Sequence, residues 1–302
     1  MNFKLKTLAA TALVALVLPA AAQNAGGTDT LTKMKTSGKA VLGVRESSSP
    51  MAFALGANEK FVGYHVELCE RVLKDIMPSV KLEYSVLTAQ NTMPLVQNGT
   101  VDLGCGPTTN NKVRQQQVAF SLTTYVSQVR MATKANSGIT SFDQLAGRTA
   151  AASTGTTAVQ MLRKLAKTKN IEFPTLLGKD HVDSFLLLES GRADAFVLDD
   201  NLLAGVISGS RNPAGYRIVG ESLGSEPIAL VLRKDDPAFK TAVDDSLRKL
   251  MKSGEVEKLY NKWFMSAIPP NNTSLNLPMS DVLKQLLREP NDKPLEAYAD
   301  AK

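Results

Sequence analysis

The sequence predicts an α/β protein with largely parallel sheets, divided between two domains. Three observations carry this. After residue 30, short β-type runs alternate with stretches of helical period, the pattern of βαβ units rather than of segregated strands and helices. Two segments echo each other, Leu95-Val-Gln-Asn-Gly-Thr-Val-Asp-Leu103 and Leu187-Leu-Glu-Ser-Gly-Arg-Ala-Asp-Ala195, as if one kind of unit were built twice. And 302 residues exceed the roughly 250 at which a single core tends to split.

The elements follow in order. Residues 1–22 carry Lys4 and Lys6, an apolar run from Leu8 to Leu18, and Ala20-Ala21-Ala22 before Gln23. This reads as an export signal peptide with a small-residue cleavage site, the apolar run being short for a membrane anchor. After a polar lead-in, Lys39 to Val44 is a strand candidate. A helix follows, with Leu68, Cys69, Val72, Leu73 and Ile76 on one face and Pro78 as its stop. Val80, Leu82, Tyr84 and Val86 then alternate with polar residues as a half-buried strand does. In each echo, a helix ends at a glycine that takes the left-handed conformation without a Cβ clash, and a strand leaves at once, Asp102 to Gly106 and Asp194 to Leu198. Between the echoes, the small-residue run from Ala150 leads through Gly155 into a helix facing inward with Ala158, Met161, Leu162 and Leu165. Pro237 opens a run of amphipathic helices that ends with Val256, Leu259, Tyr260, Trp263 and Phe264, where Trp263 is read as core.

Composition removes several classes of function. A net charge of +6 with no basic run gives nucleic acid no patch to bind. Two cysteines, Cys69 and Cys105, leave room for one bridge or for two buried thiols. Two histidines and no paired-cysteine or paired-histidine spacing supply no convincing ligand set, so neither a metal nor a cofactor is expected. Nucleophile-elbow, zincin, phosphate-loop and dinucleotide motifs are missing from the sequence. A Ser153, His181, Asp183 triad can be drawn only from composition.

The residues suit capture of a small zwitterion better. That task needs a cationic fork for a carboxylate and an acidic acceptor for an ammonium. In open α/β sheets ligands gather beyond the carboxyl ends of strands, which directs attention to residues 107–114 and to Asp199-Asp200. Arg114, five residues after Thr109, can grip a carboxylate bidentately, with hydroxyls from Thr109 and the Thr157 region at a helix N-terminus adding donors. Asp199 can take an ammonium. Arg45, after the first strand, and His181, after the plausible cap Asp180, can meet a polar side chain. Singly, each has a bland reading as surface charge or helix cap; their recurrence at successive strand ends argues for a shared cleft.

The stretches GVRESSSP, QNTMPLVQNGTVDLGCGPTTNNKVRQQQVAFS, STGTT, KDHVDSF, LESGRADAFVLDDNLLAG, LRKDDPAF and SGEVEKLYNKWF strongly resemble the periplasmic glutamate/aspartate-binding proteins of ABC importers, over nearly the whole chain after the export segment. The resemblance implies a two-lobe periplasmic binding protein of type II, with a two-crossover hinge and ligand in the interlobe cleft. The crossovers fall near Thr124 to Gln128 and Ser222 to Pro227. Lobe I then comprises 31–124 and 228–302, and lobe II comprises 125–227. The implied function is binding without covalent chemistry, as a periplasmic monomer serving an inner-membrane ABC permease. Arg114, Thr109 and Thr157 would take the α-carboxylate, Asp199 the α-ammonium, and Arg45 and His181 the side-chain carboxylate. Ser48, Pro107 and Thr156 complete the implied ligand set, with Thr92 in the side-chain pocket. This chain departs from the family pattern at three of its positions: a second arginine is usual where Thr92 stands, a serine at Ala89 and a serine at Pro107. The same resemblance extends to periplasmic cyclohexadienyl dehydratases, enzymes that need a general acid in the cleft; Glu46 is the nearest candidate.

Overall fold

The computed structural model of the protein describes residues 29–56 and 60–299. The export segment expected at residues 1–22 lies outside them, as do residues 300–302 of the expected lobe I. Among the described residues no helix is long and apolar enough to cross a membrane.

The chain begins with α1 (Thr30–Ser37), whose first turn is closed by Asp29 accepting from the Thr32 N–H. It continues into β1 (Lys39–Val44), the strand anticipated from its apolar run. A small antiparallel sheet follows, made of β2 (Ser47–Ser48), β3 (Ala52–Leu55) and β4 (Lys60–Val62). Next come α2 (Tyr64–Ile76) and β5 (Lys81–Val86), which lies parallel to β1 in continuous register from Lys39 opposite Lys81 to Val44 opposite Val86. This is the expected βαβ unit. One detail differs: Tyr84 and Val86 are 42% and 40% exposed. β5 is the outermost strand of the sheet, so the half-buried alternation lacks a second neighbour to cover it. The Tyr84 hydroxyl instead donates to Glu70 on α2 at 2.7 Å.

The first echo forms α3 (Thr92–Gln97), Gly99 with φ +77° and β6 (Leu103–Thr109). β7 (Val118–Lys134), β8 (Ala150–Ser153), α4 (Thr157–Lys169) and β9 (Thr175–Gly178) lead to the second echo. That echo consists of α5 (His181–Glu189), Gly191 with φ +74° and β10 (Ala195–Asp199). In both echoes the aspartate after the glycine does the same work. The Asp102 N–H donates to the Val41 carbonyl at 2.9 Å and its carboxylate accepts the Val41 N–H at 2.8 Å. Asp194 pairs with Thr149 in the same way, also at 2.8 Å. Each aspartate therefore fixes where the new strand starts beside its neighbour.

After α6 (Asp200–Gly209) and β11 (Tyr216–Val219), β12 (Ser225–Arg233) returns through the sheet centre, and α7 (Pro237–Lys252), α8 (Glu255–Tyr260) and α9 (Asp281–Arg288) pack outside it. The strand order is β5-β1-β6-β12-β7-β10-β8-β9, with β11 on β7. Both flanks are parallel, as expected, but the centre is antiparallel: β12 runs against β6 and β7, and β10 and β11 run against β7. The cause is that β7 and β12 carry the chain out and back. β7 pairs with β12 up to Gln128 and with β10 from Val129 onward, so one long strand joins two half-sheets.

Tyr125 sits in that long strand and stacks on Tyr260 and Phe264, while Tyr64 meets the same two rings edge-on and donates its hydroxyl to the Thr124 carbonyl. Trp263 is core, 3% exposed and edge-on to Phe53. The two cysteines are bridged, tying α2 to β6. Beyond α9 the C-terminal segment is laced back onto the sheet. Asn291 accepts the Thr123 N–H, the Leu295 N–H donates to Asn110, and the Asn110 side chain donates to the Asp292 carbonyl. Leu295 and Tyr298 then form one wall of a groove whose other wall is α4 and the 222–225 turn.

Candidate functional site

The carboxyl ends of β1, β6 and β10 and the N-termini of α4 and α5 converge on a narrow cleft. Of the residues singled out from sequence, Arg45, Pro107, Thr109, Arg114, Thr156, Thr157, His181 and Asp199 line it. Two do not. Thr92 is 2% exposed at the start of α3, and its hydroxyl is committed to the Thr88 carbonyl at 2.6 Å. Ala89 reaches the cleft wall in its place. Ser48 is fully buried in β2, paired with Ala52, and its neighbours Ser47 and Ser49 line a different pocket.

Arg45 leaves β1 over Gly106. A Cβ at position 106 would lie 2.9 Å from Arg45 Cγ, so the absence of a side chain there lets the arginine stem cross β6. The side chain is buried and its Nη2 has no hydrogen-bond partner. Burial pulls its pKa down to about 10, partly countered by Asp180 and reinforced by Arg114. The guanidinium nevertheless stays charged at neutral pH, and a buried cation with an unused donor favours an anion.

Arg114 opens a short 3₁₀ turn, with its N–H held by the Asn111 side chain at 2.8 Å. Its Nη1 donates to the Thr109 carbonyl at 2.9 Å and its Nη2 to the Gly155 carbonyl at 3.2 Å. The guanidinium thus reaches from the β6 side to the α4 side. Burial lowers its pKa, and Glu226 and Asp199 oppose that shift.

Asp199 stands at the N-cap position of α6, yet its side chain makes no cap bond. Asp200 takes the local donors, accepting from the Asn201 and Gln128 N–H groups at 2.8 and 3.2 Å. The cap reading of Asp199 therefore fails, and its carboxyl is left for the cleft. Burial, followed by the nearby Glu226 and Asp200 carboxylates, pushes its pKa well above the usual carboxylate range. Thr156 lines the cleft, with its hydroxyl donated to the Ser153 carbonyl at 2.7 Å.

His181 lies in the first turn of α5, behind the Asp180 cap that accepts from the Val182 and Asp183 N–H groups. Its Nδ1 is 2.9 Å from Ser153 Oγ, so two members of the imagined triad do meet. Ser153 is fully buried and is also held by Ser184 Oγ and the Asp180 carbonyl, while Asp183 is exposed. That arrangement orients the imidazole and offers no accessible nucleophile. Burial, with Arg45 beside it, drives the His181 pKa well below its ordinary value, so the ring is neutral.

Glu226 was not anticipated. It sits in β12 opposite Ser127, fully buried, and its Oε2 accepts from Thr109 Oγ1 at 2.7 Å and from Thr157 Oγ1 at 3.0 Å. Burial raises its pKa, against the two hydroxyls and Arg114, which favour the charged form. The available signal was a lone acid heading the unbroken apolar run Pro227 to Leu232, where no solvated strand face could hold it.

Two glycines bring the sides of the cleft together. A Cβ at Gly155 would lie 2.7 Å from the Gln90 backbone, and one at Gly205 only 1.9 Å from the Ser49 carbonyl oxygen.

A model of the bacterial extracellular solute-binding proteins, family 3, matches residues 40–266. The chain belongs to that family. It is 41% identical over 298 residues to the glutamate/aspartate import solute-binding protein of Escherichia coli strain K12, covering 95% of this chain and 98% of that one. It is 39% identical over 295 residues to the L-glutamate/L-aspartate-binding protein of Pseudomonas aeruginosa, covering 96% and 98%. Among solved structures it matches an ancestral amino acid-binding protein described as a precursor of cyclohexadienyl dehydratase, with a TM-score of 0.69 and 25% identity over 78% of this chain and 99% of that one. The fold is accordingly that of a two-lobe, type II periplasmic binding protein with its cleft between the lobes, and β7 is the strand shared by the two half-sheets.

Proposed function

We propose that this solute-binding protein captures a dicarboxylic α-amino acid, glutamate or aspartate, and delivers it to an inner-membrane ABC permease. It acts as a monomer in the periplasm, after export through residues 1–22. Lobe I is assigned to 31–124 and 228–302, and lobe II to 125–227. Arg114 and the Thr109 and Thr157 hydroxyls receive the α-carboxylate, Asp199 the α-ammonium, and Arg45 with His181 the second carboxylate. Thr156 and Pro107 shape the walls. The observation that carries this reading is the pair of cationic forks: Arg45, with an unused buried donor, and Arg114 line one cleft together with the uncapped Asp199. The two forks match a molecule with two carboxylates, and Asp199 is placed to receive its ammonium. The naming of the two bacterial relatives for glutamate and aspartate supports the same ligand.

Calorimetry on protein stripped of ligand by unfolding and refolding tests it. Saturable binding of glutamate or aspartate is expected, and Arg114→Ala should abolish it, since a buried charged hydrogen bond contributes about 1.5–3 kcal/mol and this side chain offers two. Undiminished affinity in Arg114→Ala, or indifference of the wild type to every dicarboxylic amino acid, would refute the assignment.

An enzyme on the same scaffold is the second reading, favoured by the dehydratase precursor among the structural neighbours. Its candidate acid, Glu46, lines a separate pocket with Phe53, Val182 and Phe185 rather than the charged cleft. Binding without turnover is therefore proposed. Conversion of prephenate or arogenate by the purified protein would reverse that choice.

A further inference from the structure

Behind the cleft wall lies a carboxylate of the protein's own, seated on the donors assigned above to the ligand. Glu226 Oε2 takes hydrogen bonds from Thr109 on the β6 side and from Thr157 at the start of α4, and Arg114 and Asp199 face it. A hydroxyl carries one proton and donates to one strong acceptor at a time. Thr109 and Thr157 thus cannot serve Glu226 and an incoming carboxylate together. The second oxygen, Oε1, is buried and finds no hydrogen-bond partner, so the two hydroxyls, with the Asp199 carboxyl beside them, hold this side chain in place.

We propose that Glu226 is an internal competitor for the carboxylate subsite, a specificity-determining residue whose own carboxylate holds the Thr109 and Thr157 hydroxyls until a ligand displaces it. This inference rests on the reading of those hydroxyls as ligand donors. The affinity of any ligand is then a difference between its carboxylate and that of Glu226 on the same donors. Weak anions lose that contest, and a carboxylate arriving without other strong contacts is excluded. Because Thr109 and Thr157 come from the two walls of the cleft, the same side chain also ties the walls to one another.

Two measurements separate this role from a purely structural one. The first uses glutarate, which has two carboxylates and no amino group and so reports on the carboxylate donors apart from Asp199. In Glu226→Ala, glutarate should bind about tenfold or more tightly than in wild type, as expected for removal of one charged hydrogen-bonding competitor. Glu226→Gln, which keeps the shape and loses the charge, should fall between the two and serves if the alanine variant fails to fold. Unchanged or weaker glutarate binding in both variants overturns the competitor role. The second is small-angle scattering on stripped protein with no ligand added. Loss of the tie in Glu226→Ala should increase the radius of gyration, and identical profiles overturn the tie. Wild type that ignores glutamate sinks the functional reading instead, whereas wild type that binds glutamate while the variants treat glutarate as wild type does sinks only this inference.

Discussion

At the scale of single residues, the two histidines show how burial sets chemistry. His65 is fully buried on α2, with Nδ1 3.0 Å from the Gly106 carbonyl and Nε2 2.8 Å from Thr124 Oγ1. A carbonyl only accepts, so Nδ1 carries the proton and Nε2 accepts from the threonine hydroxyl. Burial lowers the ring's pKa to about 4, the Gly106 bond opposing. Between the unfolded value of about 6.5 and 4, the unfolded chain binds the extra proton and the folded one does not. Stability is therefore retained above pH 6.5 and lost as pH falls through that window, by on the order of 3 kcal/mol from this one group. Urea midpoints measured at pH 7 and pH 4.5 should show a smaller drop for His65→Gln than for wild type. An equal drop would remove His65 as the cause. The ring touches both β6, which delivers Thr109, and β7 at Thr124.

At the scale of elements, the disulfide between Cys69 and Cys105 joins the helix of the first βαβ unit to the strand that ends at Thr109. It closes a loop with a sequence separation of 36, for which loop entropy gives roughly 3–4 kcal/mol of stabilisation. Replacing both cysteines by alanine should lower the urea midpoint accordingly while leaving the cleft residues in place; an unaltered midpoint would show that the bridge contributes nothing. Sequence alone left this pairing open because spacing cannot tell a bridge from two buried thiols, and only the packing of α2 on β6 brings the sulfurs together. The elements that were legible, such as β1, α2 and the two helix-glycine-strand echoes, have strong local signals in apolar period and a positive-φ stop. What was not legible depended on partners distant in the chain. The antiparallel sheet centre follows from β7 and β12 meeting 100 or so positions apart in the sequence, an arrangement no local pattern encodes. Glu226 and the displacement of Thr92 from the cleft have the same origin: each is decided by what lies across a strand or one helical turn away. Arg45, Arg114, His181 and Asp199 could be found because polar and charged groups that recur at successive strand ends are informative together, although each alone has a bland reading.

At the scale of the whole molecule, the closeness of the lobes is limited by two positions without side chains. Gly205 on α6 meets the Ser49 carbonyl, and Gly155 before α4 meets the Ala89-Gln90 backbone. These contacts flank the charged cleft, so even a methyl group at position 205 requires the lobes to part. Gly205→Ala is expected to bind ligand at least about tenfold more weakly with a thermal midpoint close to wild type, because it obstructs approach of the lobes and not the core of either. Binding as tight as wild type would mean that α6 can slide past Ser49 at little cost. Under the proposed lobe division and ligand contacts, Arg114 and Thr109 come from one lobe and Thr157, His181 and Asp199 from the other, so a single small molecule would satisfy both only when they are together.

The lacing of residues 291–295 onto Asn110 and Thr123 has a practical side. It holds the segment up to Tyr298 across the middle of the sheet, with Tyr298 beside α4. A fluorescent group attached there would sit between β6 and α4, which also supply walls of the cleft, and its emission would track occupancy without a label inside the site.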